Sequence, residues 1–204
     1  MGKLIVKTAA VTFSLLVAAA LMLFGIVSLS APAAMMELTD SLGMNGASAY
    51  YSLAVYDRSG DISDLAVAVE KSYDVGHYSD AAEYGQKMLG DDAFAEYCAA
   101  RDEDTEGSSY ILGDYRQYAG GIVSSAQYYS GEKETALDTA FEVLGQTFPE
   151  TNAVSILAAA ASGSDDVEFC RSILAQLEEL NVENAQDRQN LQDFFEALYT
   201  YCAQ

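Results

Sequence analysis

Between Thr8 and Met36 the chain carries no ionisable side chain, and within that stretch Ala9 to Leu29 reads AAVTFSLLVAAALMLFGIVSL, almost without a polar break. A hydrocarbon core of about 30 Å is crossed by roughly 20 helical residues at about 1.5 Å each, which this run supplies. Thr12, Ser14 and Ser28 do not forbid burial in lipid, because a hydroxyl in a helix can bond back to a carbonyl one turn earlier. A core helix of a water-soluble domain is usually shorter and keeps one polar face, and no such face is present here. The run therefore predicts a transmembrane helix over 9–30.

Lys3 and Lys7 precede the run, whereas Glu37 and Asp40 come after it and the next basic residue is Arg58. The positive-inside rule places residues 1–8 in the cytoplasm and the C-terminal portion outside, as a single-pass membrane protein. The rival is a cleaved signal peptide ending near residue 33, since Ala31-Pro32-Ala33 is a small-x-small site just past the run, and cleavage would release a secreted protein. The length of the run exceeds the usual signal core and Pro32 stiffens the site, both of which favour a retained anchor. The first cysteine after the run is Cys98, too distant for a lipidated N-terminus.

Residues 31–46 read as a juxtamembrane segment. Pro32 kinks the exit from the span, Met35, Met36, Leu38 and Leu42 recur at helical spacing, and Gly43 and Gly46 loosen the backbone at its end. Residues 47–204 are long enough for one domain with a sizeable core. Outside the span and its preceding lysines stand 8 basic against 31 acidic side chains, a net charge of −23. Such a field repels nucleic acid and anionic lipid. It serves either to solvate a protein at a cell surface or to attract a basic partner.

The domain predicts helices throughout. One runs from Ala47 to Arg58, and Asp61 caps the next, which ends at Gly76. A third comes at once, then a short helix over 91–100 and a polar loop over 101–109. From about Gly113 to Tyr129 comes a helix containing Gly120-Gly121, a pair that costs helix stability unless another backbone comes close. Further helices span 132–147 and 149–162, with Pro149 in a first turn. Asp165 with Glu168 forms a capping box for a helix ending near Leu180. Asn184 with Asp187 opens the last helix, whose Leu191, Phe194, Phe195 and Leu198 face inward.

Several of these junctions repeat one device. The segment Tyr56 to Ala66 is echoed from Tyr73 to Ala82, and the pattern returns at Tyr128-Tyr129-Ser130-Gly131-Glu132 and at Ser162-Gly163-Ser164-Asp165. In each, a glycine takes the left-handed turn and an acidic or hydroxyl residue caps the next helix. Repeated helix-turn-helix units predict an all-α fold in which hairpins stack as a solenoid. Gly76, Tyr78 and Ala81, within Gly76 to Leu89, resemble the turn and second helix of a tetratricopeptide repeat, with Met88 in place of its usual alanine. Gly131 with Ala136, Ala140 and Pro149 resembles a second copy. Gly163 with Ala175 is a third that departs at Glu168, and no copy is complete. The resemblance implies a concave groove built from first helices, used for peptides or partner proteins, and implies no catalysis. Mapped residue by residue, it puts Glu70, Tyr73 and Asp74 on one groove helix. It puts Tyr118, Ile122, Ser125, Tyr128 and Tyr129 on another. Tyrosines ringed with acid suit an extended or basic peptide.

Catalytic and metal patterns are thin. His77 is the single histidine and lies in a turn, so a multi-histidine zinc site and a two-histidine relay are excluded. Ser130-Gly131-Glu132-Lys133 matches a Ser-x-x-Lys pattern but spans a turn and lacks the accompanying Lys-Thr-Gly. Asp102-x-Asp104-x-Glu106-Gly107 has the start of a calcium loop, then fails at Ser109 and Gly113. No phosphate-loop or dinucleotide fingerprint occurs, and no cofactor is expected. Cys98, Cys170 and Cys202 are widely spaced and read as buried thiols, one pair of which could be bridged in an exported protein. The sequence thus predicts a membrane-anchored, extracytoplasmic binding or assembly-adaptor module, not an enzyme. The alternatives are a structural acidic surface protein without a discrete ligand and an enzyme with an unrecognised carboxylate site.

Overall fold

In the computed structural model, residues 2–104 and 114–203 are described, with side chains from 12–102 and 114–203. They form eleven helices and, among the described residues, no strand: α1 Gly2–Ser30, α2 Pro32–Ser41, α3 Asn45–Ser59, α4 Ile62–Asp74, α5 Tyr78–Leu89, α6 Phe94–Asp104, α7 Tyr115–Ser130, α8 Lys133–Leu144, α9 Ala153–Gly163, α10 Val167–Leu177 and α11 Ala185–Cys202.

Thr12–Ser30 of α1 has mean hydropathy 2.3 and no buried residue, so the helix is long and apolar enough to cross a membrane. It stops at Ser30 because Pro32 has no N–H to continue the ladder; the proline instead occupies the first turn of α2, where a missing donor costs nothing. Residues 32–41 are accordingly a folded helix rather than a loose linker. Pro32, Met35 and Thr39 are buried, and α2 packs along α3. Gly46, expected to loosen the chain, lies inside the first turns of α3.

From α3 onward each helix packs against its neighbour in sequence, except that α5 packs on α7, while α6 lies against α7 and α4. α7 also packs on both α8 and α9. Its residues from Ala119 to Tyr128 are all buried, making it the wall shared by two cores. One core gathers Tyr56, Leu65, Val69, Met88, Phe94 and Tyr115 with Ile122 and Val123 of α7. The other gathers Leu144, Phe148, Leu157, Phe169, Ile173 and Leu177 with Tyr128 of α7.

Three glycines set how closely α7 is approached. A Cβ on Gly121 would stand 2.5 Å from Ile156 Cδ1 of α9, one on Gly120 would stand 2.7 Å from Val143 Cγ1 of α8, and one on Gly85 of α5 would stand 2.4 Å from Val123 Cγ2. The Gly120-Gly121 pair thus admits branched side chains rather than another backbone. Gln117 ties the same helices together: its amide donates to the Val143 carbonyl at 3.0 Å, and its oxygen accepts from the Ala153 N–H at 3.2 Å. A buried amide satisfied on both ends adds specificity without a desolvation penalty.

The turns depart from expectation at two places. Gly60, Gly76 and Gly131 are left-handed as predicted, but between α9 and α10 the positive φ falls on Asp165, at 55°, and Gly163 closes α9. The cap of α10 is therefore Asp166, whose Oδ1 accepts from the Phe169 N–H at 3.2 Å, and the Asp165–Glu168 box does not form. Pro149 likewise precedes its helix instead of opening it. Asn152 caps α9 by a capping box with Ser155, and its side-chain amide donates to the Pro149 carbonyl. A Pro149 start would leave no side chain to take the first N–H groups, whereas Asn152 supplies one, worth about 1 kcal/mol.

Candidate functional site

The residues predicted for a groove do not form one open surface. On α7, Ile122, Ser125 and Tyr128 are buried, Tyr118 is half-buried, and Tyr129 is the exposed member at 39%. On α4, Asp74 is exposed, whereas Glu70 and Tyr73 are half-buried. Glu70 Oε1 accepts from the hydroxyl of Tyr115 at 2.7 Å. Tyr115 itself is 1% exposed, and burial, reinforced by the Glu70 carboxylate, pushes its hydroxyl pKa strongly upward, so it acts as a permanent donor. Sequence reasoning missed Tyr115 because its contacts come from α6 and α4. Tyr97 packs edge-on at 5.5 Å between ring centroids, and the Arg101 guanidinium lies 5.1 Å from the Tyr115 centroid. Burial also raises the hydroxyl pKa of Tyr118, with Glu70 and Asp74 adding to it. These residues are brought together as a core junction of α4, α6 and α7.

Tyr73, Tyr128 and Tyr129 belong to a second arrangement at the glycine-turn end of the hairpins. Rings succeed one another from Tyr73 to Tyr78 at 5.7 Å, to Tyr129 at 4.5 Å, to Tyr128 at 5.3 Å and to Phe169 at 5.0 Å. This seam links α4, α5, α7 and α10, and each such pair is worth about 0.5–1.5 kcal/mol beyond area burial. Both amide atoms of Gln127 are buried on α7 without a hydrogen-bond partner among the described residues.

The seam ends in an open cavity of about 460 Å³ between α8 and α10, lined by Lys133, Glu134 and Leu137 on one side and Asp166, Glu168, Phe169 and Ser172 on the other. The local sequence explains its form. Gly131 ends α7 in a left-handed turn and delivers Lys133 to the start of α8, while Asp166, as N-cap of α10, points its carboxylate at the same spot. Lys133 Nζ donates to Asp166 Oδ2 at 2.5 Å, and the Tyr128 hydroxyl donates to the same oxygen at 3.0 Å. The ammonium also stands 5.5 Å from the Tyr128 centroid and 5.9 Å from that of Phe169. Its hydrogen bond holds the Asp166 carboxyl below the usual carboxylate range, and the same bond raises the pKa of Lys133. No spacing rule pairs residues 133 and 166, so this cavity had no signal in the sequence beyond the two turns that build it.

The remaining candidates resolve simply. His77 is the exposed N-cap residue of α5. Ser130 Oγ donates to the carbonyls of Ala126 and Gln127, away from the Asp166-paired Lys133, so the two do not form a nucleophile and base. Asp102 lies in the last turn of α6, and its Oδ1 accepts the Tyr115 N–H at 2.8 Å. That carboxylate oxygen is thus engaged at the start of α7; the side chain of Asp104, and Glu106 altogether, lie outside the described residues. Among the described residues no three His, Cys, Asp or Glu side chains are grouped to hold a metal ion. All three cysteines are free and buried. Burial raises the Cys98 thiol to about 12 and the Cys170 thiol to about 11, which keeps both protonated and unreactive.

No protein-family model matches the chain, and no curated protein and no solved structure matches it.

Proposed function

We propose that the protein is a single-pass, membrane-anchored binding or assembly-adaptor module, with residues 9–30 of α1 in the bilayer, residues 1–8 in the cytoplasm and the acidic helical body outside. The observation that carries this reading is the junction between α1 and the body. Arg58 of α3 donates through its two terminal guanidinium nitrogens to the carbonyls of Leu29 and Ser30, the last two residues of α1, and the Tyr51 hydroxyl donates to Ser28 Oγ at 3.0 Å. A helix end otherwise leaves such carbonyls without partners, and a cation there also complements the helix dipole. Because Pro32 is buried and Ala33 already belongs to α2, the small-x-small site is folded rather than extended, which favours a retained anchor over a leader.

The binding part of the reading rests on the hairpins. α4 with α5, α7 with α8, and α9 with α10 turn at Gly76, Gly131 and Ser162–Asp165, the three places of tetratricopeptide-like resemblance, and the packing of α7 on both α5 and α9 supports a short, degenerate solenoid. Its available edge is Tyr129 and the cavity beyond the aromatic seam, rather than the buried positions of α7.

Two measurements test the proposal. Intact mass of the purified protein is expected to include residues 1–33, with the chain resisting alkaline extraction from membranes; a mature N-terminus at Ala34 overturns the anchor. Photo-crosslinkers placed at Tyr129 and at Glu168 in cells are expected to capture the same small set of envelope proteins. Capture of nothing beyond further copies of the chain favours the structural acidic surface protein instead.

A further inference from the structure

We propose that the cavity between α8 and α10 is a receptor for one cationic side chain, an arginine or lysine carried on a peptide, and that Lys133 occupies it in the absence of that peptide. The inference rests on the binding-module reading and supplies the chemistry of its partner.

A cation held against a carboxylate and the faces of aromatic rings is bound by charge, hydrogen bonding and the ring quadrupole together. The chain already displays that recognition on itself, since Lys133 Nζ meets Asp166 Oδ2 and stands over the rings of Tyr128 and Phe169. The internal cation is weakly committed. Its side chain is 52% exposed against 17% for that of Asp166, and an ion pair with one partner half open to water is screened, so an incoming cation can compete for the carboxylate. Two further carboxylates on the cavity wall, Glu134 and Glu168, are exposed and have no ion-pair partner among the described residues. The lining thus holds three carboxylates and one ammonium, which leaves it short of positive charge. Leu137 and Phe169 offer apolar surface for the methylene stem of a long basic side chain, which keeps its charge at the acidic mouth. A volume of about 460 Å³ falls within the range of small-ligand pockets, about 300–1,000 Å³.

The test uses the full chain in nanodiscs of zwitterionic lipid and a fluorescein-labelled Leu-Arg-Leu amide, compared with the same peptide carrying citrulline, which keeps the shape of arginine and loses its charge. Anisotropy titrations are expected to show at least tenfold weaker binding of the citrulline peptide. Glu134→Gln with Glu168→Gln is expected to weaken the arginine peptide about tenfold, and Lys133→Met to strengthen it severalfold, circular dichroism verifying the fold of each. Glu178→Gln with Glu179→Gln, exposed carboxylates just past the end of α10 and outside the cavity, is expected to leave binding unchanged. Equal binding of the two peptides, an equal loss from the Glu178 and Glu179 pair, or no gain from Lys133→Met overturns the proposal. In that event, crosslinks from Tyr129 would still support an adaptor; their absence would remove the adaptor itself.

Discussion

Gly121 and Gly46 are both helical, yet substitution by alanine is expected to move stability in opposite directions. At Gly121 the new methyl meets Ile156, whose branched side chain is held between α7 and α9, and overpacking of this kind costs about 1–3 kcal/mol, more than the helix-propensity gain. At Gly46 nothing lies within 4 Å, so Gly46→Ala gains about 0.5–1 kcal/mol from the unfolded state. Chemical denaturation of the two variants beside the parent checks both signs. Cys98 and Cys170 are expected to resist alkylation at pH 8 in the folded protein and to react on unfolding, as mass spectrometry would record. Asp166 gives a pH prediction. Its pKa is lowered by folding, so its contribution is complete above the unfolded carboxylate value of about 3.9 and is lost as pH falls through the lower folded value. Asp166→Asn, which keeps a capping oxygen, is therefore expected to be less stable than the parent at pH 6, with the gap narrowing as pH falls below the unfolded carboxylate value, read from denaturation midpoints. At this scale the sequence was partly legible. Asp61, Asn184 and the left-handed glycines announce themselves through local backbone chemistry, whereas the burial of Ile122, Ser125 and Tyr128 depends on which helices surround α7. Asp165 illustrates the limit: adjacent aspartates offer two equivalent caps, and the surrounding packing selects Asp166.

Helices were the most legible elements, because hydrophobic periodicity and caps act within one segment. Boundaries moved where a rule with several local solutions was in play, as at Pro149, which can begin a helix but here yields to the Asn152–Ser155 box. The contact of α1 with α3 was not legible, since residues 28–30 and 51–58 are joined by no periodic signal. It has a direct consequence. Arg58→Ala removes both donors to the end of α1, and distances between spin labels on α1 and α3, measured by pulsed electron resonance in nanodiscs, are expected to broaden from one narrow distribution. Arg58→Lys is expected to restore only part of the order, because an ammonium lacks the planar fork that reaches two carbonyls at once.

At the scale of the whole molecule, charge dominates: a net −21 over 204 residues strains the folded state through self-repulsion. Raising sodium chloride from about 0.02 to 0.5 M shortens the screening length from roughly 20 to 4 Å and is expected to raise the thermal midpoint. Composition made this property readable without any structure, and the repeated turns made the hairpins readable; the position of the cavity required knowing that α10 returns beside α8. The Pro32 corner and the Arg58 clamp also bear on mechanics. A tether of slack polypeptide would absorb a pull on the body by uncoiling, and the bilayer would feel nothing until it was taut. A chain that passes from α1 into α2 through Ala31 alone, with Arg58 gripping the helix end, has no such slack. With α1 in a bilayer as proposed, tension applied at the α8–α10 edge would be carried as a lever into the tilt of that helix.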